Sequence, residues 1–79
     1  MRQYKNPLAQ KIHEIMLPLV GEFMAGGVLK TQSKNIGISE DDIKPEHIPS
    51  LAEAIKKGLT LFLGSDVANK VCDQIKMIK

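Results

Sequence analysis

The chain has 79 residues, 43% of them hydrophobic and 25% charged, and a formal net charge of +2 from 11 basic and 9 acidic side chains. That composition describes one small globular domain, too apolar for a disordered chain and too short for a second core. The charge is also too small, and too scattered from Arg2 through Lys30, Lys34, Lys56 and Lys57 to Lys79, for a surface built to hold nucleic acid.

Tryptophan is absent and the only aromatic residues are Tyr4, Phe23 and Phe62, so the core is expected to be aliphatic with methionine filling gaps. A single cysteine, Cys72, excludes an intramolecular disulfide, and the N-terminus lacks the basic, apolar and small-residue order of a secretion signal. A cytoplasmic setting is the expectation. The apolar run Ile15 to Leu29 carries Glu22 and falls short of the roughly 20 residues that a membrane span needs.

Asn6-Pro7 is a helix start, because the Asn side chain caps free amides and proline at the first helical position loses no hydrogen bond. The helix is expected to run to Lys30 or Ser33, with Gly37 as a left-handed cap. Leu8, Ile12, Ile15, Met16, Leu19, Val20, Phe23, Met24 and Val28 recur at three- and four-residue intervals and form one broad apolar face. Pro18 lies inside it. The apolar phase continues across Pro18, which predicts a kink near Glu14 to Leu17 rather than a break. Gly21, Gly26 and Gly27 are expected to let another helix backbone approach closely.

Ile36 to Pro49 reads as a connector pinned to the core by Ile36, Ile38, Ile43 and Ile48, with one capped helical turn over Ser39 to Ile43. A second main helix begins near Pro49 or Ser50, buries Leu51, Ala52, Ile55, Leu59 and Phe62, and ends at Gly64. Gly64-Ser65-Asp66 then starts a third, striped by Val67, Val71, Ile75 and Ile78 beside Ala68 and Cys72, so the last two helices form an antiparallel hairpin. The predicted fold is all-α over residues 1–79: a long kinked N-terminal helix against a C-terminal helical hairpin.

A first helix of about 24 residues is about 36 Å long, and hairpin helices of about 14 residues are nearer 21 Å. Part of the first apolar stripe is therefore expected to be covered by bending or by a second copy, which points to a homodimer. Leu19, Phe23, Met24, Gly26 and Gly27 are the candidate contacts, large apolar anchors beside small residues.

Chemical signatures are weak throughout. Gly21 to Gly26 has the glycine spacing of a phosphate-binding loop, but Gly27-Val28 stands where Lys and Ser or Thr belong. Ser39 to Ser50 lacks the central glycine of a calcium loop, and Glu40, Asp41 and Asp42 read as a carboxylate-rich helix start. His13, His47 and Cys72 show no paired ligand spacing for a metal, and His13 reads as a partly exposed helix residue. Cys72 beside Val71 and Ile75 reads as a small buried hydrophobe rather than a nucleophile. His13 as a phosphoacceptor lacks the Lys and Gly that accompany one, and the chain lacks the length of a four-helix phosphotransfer domain. No cofactor, metal or enzymatic activity is expected.

Val20-Gly21-Glu22-Phe23-Met24-Ala25, Lys30-Thr31-Gln32, Ile36-Gly37-Ile38, Glu46 to Ile55 and Leu63-Gly64-Ser65-Asp66 together span nearly the whole chain. In these segments it resembles small helical modules, mostly uncharacterised, that occur alone or appended to signalling-associated proteins of archaea and bacteria. Members often carry proline after the first of these glycines, where this chain has Glu22. The resemblance implies an interaction role: a protein–protein or regulatory module without catalysis. A small-ligand or sensory domain with an apolar pocket is the alternative.

Overall fold

A computed structural model describes residues 4–78; Arg2 and Lys79, among the scattered basic residues, lie outside them. Three α-helices follow one another, α1 (Pro7–Asn35), α2 (Ile48–Leu63) and α3 (Ser65–Lys76), with a 3-10 turn at Pro45–His47 before α2. The fold is all-α, with α1 packed against the α2–α3 hairpin.

The start of α1 follows from the Asn6 side chain. Its Oδ1 accepts from the Leu8 and Ala9 amides at 2.9 and 3.2 Å, and Pro7 occupies the first helical position. The same side chain does more than cap. Its Nδ2 donates to the Ile43 and Asp41 carbonyls at 2.7 and 3.1 Å, tying the connector to the helix start. Asn6→Asp keeps the cap but loses both donated bonds and sets a carboxylate against two carbonyl oxygens. It is expected to cost about 1–2 kcal/mol in urea unfolding. A variant as stable as the parent would show that the tie contributes nothing.

The bend in α1 lies at Gly21, not near Glu14 to Leu17. Gly21 has φ 82° and ψ 167°, outside the helical region, while Pro18 sits within the helix. Proline holds its own φ near −65°, which is a helical value, so it distorts a helix without turning the chain. A sharp change of direction needs a residue that leaves the helical region altogether, and only glycine does so cheaply. A straight 29-residue helix would measure about 43 Å, whereas the longest extent of the molecule is 29 Å. Gly21 thus divides α1 into two arms, residues 7–20 and 22–35. Gly64 joins α2 to α3 with almost the same backbone, φ 84° and ψ 165°.

By length and hydropathy α1 taken as one piece could cross a membrane. Each arm alone is about 21 Å long, short of the roughly 30 Å hydrocarbon layer.

The second arm ends in a Schellman cap. Ile38 N–H donates to the Ser33 carbonyl and Gly37 N–H to that of Lys34, both at 3.0 Å, with Gly37 at φ 84°. The expected helical turn at Ser39 to Ile43 is instead a hydrogen-bonded turn, in which Asp42 N–H donates to the Ser39 carbonyl and Ser39 Oγ bonds Asp42 Oδ2. The helical turn comes after it, where Pro45 sets a helical φ and the Lys44 amide donates to His47 Nδ1 at 3.0 Å. Ile43 and Ile48 are buried, and Ile36 and Ile38 pack against the core from its edge.

Ala9, Ile12 and Met16 of the first arm meet Ala25 and Leu29 of the second, Leu51, Ile55 and Leu59 of α2, and Val71 and Ile75 of α3 in one aliphatic core. Each of the larger side chains contributes about 1.5–3 kcal/mol on burial. Lys76 Nζ donates to Glu53 Oε1 at 2.9 Å, binding the far end of α3 to the first half of α2, as an antiparallel pair hinged at Gly64 requires.

That bond lowers the Glu53 carboxyl below its usual range and raises the Lys76 ammonium above its own. A lowered carboxylate contributes fully above its unfolded value and loses that contribution as pH falls through the folded one. A raised ammonium contributes below its unfolded value and loses that as pH rises through the folded one. The pair therefore acts between the carboxylate and lysine ranges. Both side chains are about half exposed, so the effect is small and salt-sensitive. The melting-temperature difference between parent and Glu53→Gln is expected to be greatest near neutral pH and to shrink to zero in acid. A difference independent of pH would contradict the pairing.

Candidate functional site

Among the described residues the large exposed hydrophobic side chains are Leu19 and Phe23 beside the Gly21 corner, Leu61 and Phe62 before the Gly64 corner, and Met77 after α3. Phe23 is 92% exposed, Leu61 85%, Phe62 65% and Leu19 47%. Both phenylalanines of the chain are thus on the surface while the core is aliphatic, the reverse of what burial energetics alone would choose. Phe62, expected in the core, is exposed in the last turn of α2, where Leu63 beside it packs against the core instead.

Phe23 and Phe62 line one groove of about 290 Å³ between the second arm and α2, together with Met24, Gly27, Val28 and Gly58. Its shape comes from what is missing. Gly27 is exposed, and a Cβ there would meet nothing within 4 Å. At Gly58 a Cβ would stand 2.8 Å from Gln32 Nε2, so glycine lets the Gln32 side chain lie across α2. A second hollow of about 480 Å³ shares Gln32 and Gly58 and continues to Ala54, Leu61 and Ile36. The two hollows form one face, carried on α2 by Ala54, Gly58, Leu61 and Phe62, a second stripe beside the buried one.

Of the five predicted contacts, Phe23, Met24 and Gly27 line this groove. Leu19 lies before the corner and does not line it. Gly26 is buried in the core beside Ala25 and Leu29 and presents no surface, because the face of the second arm it occupies is the inner one. Sequence reasoning missed Gly58 and Leu61. The signal was a glycine inside an otherwise strong helix, with Ala54 four residues before and Leu61 three after.

The groups weighed for chemistry lie apart. His13 is fully buried rather than partly exposed, because the first arm's inner face is wide enough to include it beside Ile12 and Met16. Its Nδ1 is 3.0 Å from the Tyr4 hydroxyl, with ring centroids 5.2 Å apart. Enclosed in this way, the imidazole offers no access to a phosphoryl donor. His47 stands in the 3-10 turn, and Cys72 is buried in α3. Among the described residues no group of three His, Cys, Asp or Glu side chains gathers where a metal could bind.

No family model, curated protein or solved structure matches the chain.

Proposed function

We propose that the chain is a small interaction module without catalysis, and that it self-associates as a homodimer through the face formed by the second arm of α1 and by α2. The observation that carries this reading is the placement of both phenylalanines on the surface, at the walls of one glycine-floored groove. Exposed aromatic side chains beside a cleft are the usual anchors of protein interfaces, and a contiguous apolar patch on a small domain gains stability when covered. The interaction role implied by the resemblance to signalling-associated helical modules agrees with it. A cytoplasmic setting agrees as well, since the lone buried Cys72 requires no disulfide partner.

Recognition of a small ligand is the weaker reading. A groove whose wall is a side chain 92% exposed does not enclose a small molecule, whereas ligand pockets bury most of the ligand's surface. Sedimentation equilibrium tests the proposal: the mass is expected to rise with concentration from 8.7 kDa towards twice that value. A mass fixed at 8.7 kDa up to millimolar protein would refute it.

A further inference from the structure

We infer that Gly21 is a hinge for exchanging the first arm between two copies of the chain. On straightening, α1 becomes one continuous helix whose first arm leaves its own core and fills the same place in a second copy. This goes beyond the face proposed above, since the contacts exchanged are those of the core itself. Gly21 alone within α1 departs from helical φ and ψ, and Pro18 before it and Gly27 after it are already helical. Moving one residue therefore straightens α1, and glycine enters the helical region as readily as the one it occupies.

A straight α1 does not serve a single core. At about 100° per residue, Ile12 and Met16 fall on one stripe with Leu19 and Phe23, whereas Ala25 and Leu29 lie about 130° away from it. Ile12, Met16, Ala25 and Leu29 are all fully buried. In the bent chain the corner at Gly21 turns both inner faces towards one core. In a straight helix the same faces look to nearly opposite sides, so the helix must lie between two cores, with one arm buried in each. Two copies related by a two-fold axis supply those two cores, and each core receives the kind of arm it gave up.

The occupant is fixed by the contacts already made. The place a first arm vacates is walled by Leu51, Ile55, Leu59, Val71 and Ile75 to hold Ala9, Ile12 and Met16, so the segment it fits is another first arm. Asn6 re-forms its bonds to the Asp41 and Ile43 carbonyls, now those of the other copy. Gly64, the similar joint, is not an equal hinge. Ser65 and Asp66 after it suit a helix start better than a helix interior, and the Lys76–Glu53 bond holds its two sides together.

Gly21→Ala is the test, because alanine suits φ 82° less well than glycine and a helix interior better. Both hinges of a dimer carry the change, so after refolding from urea at millimolar concentration the association constant is expected to exceed the parent's by roughly 100-fold. The dimer is expected to persist for hours on dilution, since the arms exchange only through unfolding. When isotope-labelled and unlabelled chains are refolded together, magnetic resonance is expected to show contacts from Ile12 and Met16 of one chain to Ile55 and Ile75 of the other. A dimer that dissociates within seconds, with intermolecular contacts confined to Phe23 and its neighbours, would overturn the exchange and leave the face reading intact. A folded Gly21→Ala chain that stays monomeric would overturn it as well. If alanine prevents folding, the parent refolded at the same concentration decides: a slowly dissociating fraction with the core contacts is expected, and its absence refutes the hinge.

Discussion

Phe23→Asp is expected to weaken self-association at least 30-fold while leaving the isolated subunit as stable as the parent. The two halves of that result come from opposite properties of one residue. Within the subunit Phe23 is 92% exposed, so its replacement breaks almost no packing. Substitutions at such sites change stability by about 0.5 kcal/mol or less. In the proposed homodimer the ring is an interface anchor, and truncating a buried aromatic anchor costs 2 kcal/mol or more, which is about 30-fold in the dissociation constant. The aspartate adds a charge that must be desolvated on association. Unfolding should be compared in dilute protein, where the parent is also monomeric, because dimer formation itself raises apparent stability. An unchanged dissociation constant would remove Phe23 from the interface. A large loss of subunit stability would mean that the ring is packed internally.

The second large effect is expected at Gly21. Gly21→Val should cost about 1–3 kcal/mol, since φ 82° with ψ 167° is a region essentially reserved for glycine and a β-branched side chain suits it least. Crowding does not contribute, because a Cβ at this position meets nothing within 4 Å. The cost is therefore purely one of backbone conformation. Pro18→Ala is the matched control. Pro18 is exposed within the helix, and alanine restores a backbone donor and a better helix former, so its effect should be neutral or stabilising. If the proline made the bend, the ranking would be reversed: Pro18→Ala would damage the fold and Gly21→Val would be tolerated. Urea unfolding of the two variants side by side decides between them.

That pair of residues shows where sequence reasoning succeeds and fails in this fold. Helix ends written in local chemistry were legible: the Asn6-Pro7 start, the Gly37 cap and the Gly64 stop all depend on a side chain or a glycine acting within one turn. The corner at Gly21 was not, although its backbone nearly duplicates that at Gly64. The exposed Leu19 and Phe23 continue the phase of Ile12 and Met16 across Gly21, so the apolar spacing reads as unbroken, whereas the buried Ala25 and Leu29 would lie on roughly the opposite face of a continuous helix. At Gly64 the polar residues Ser65 and Asp66 announce a new helix, whereas Gly21 is followed by Glu22 and then by more apolar residues.

The candidate face was half legible for a related reason. Phe23, Met24 and Gly27 stood out as large and small residues side by side, but Phe62 has the spacing of the buried stripe of α2. In that last turn Leu63, not Phe62, packs against the core, a tertiary outcome that periodicity does not encode. Gly58 acquires its role only once Gln32 of another helix lies within 2.8 Å of the missing Cβ. His13 is enclosed with the help of Tyr4, nine residues away, a contact that no helical spacing predicts.

The central claim, that the face of α1 and α2 is the surface through which the chain associates, is tested most directly by a dilution series of amide nuclear magnetic resonance spectra. Concentration-dependent shifts are expected to concentrate at residues 23–32 and 54–62, with the exposed side of α3 unmoved. Shifts centred on α3, or spectra identical from micromolar to millimolar protein, would contradict it.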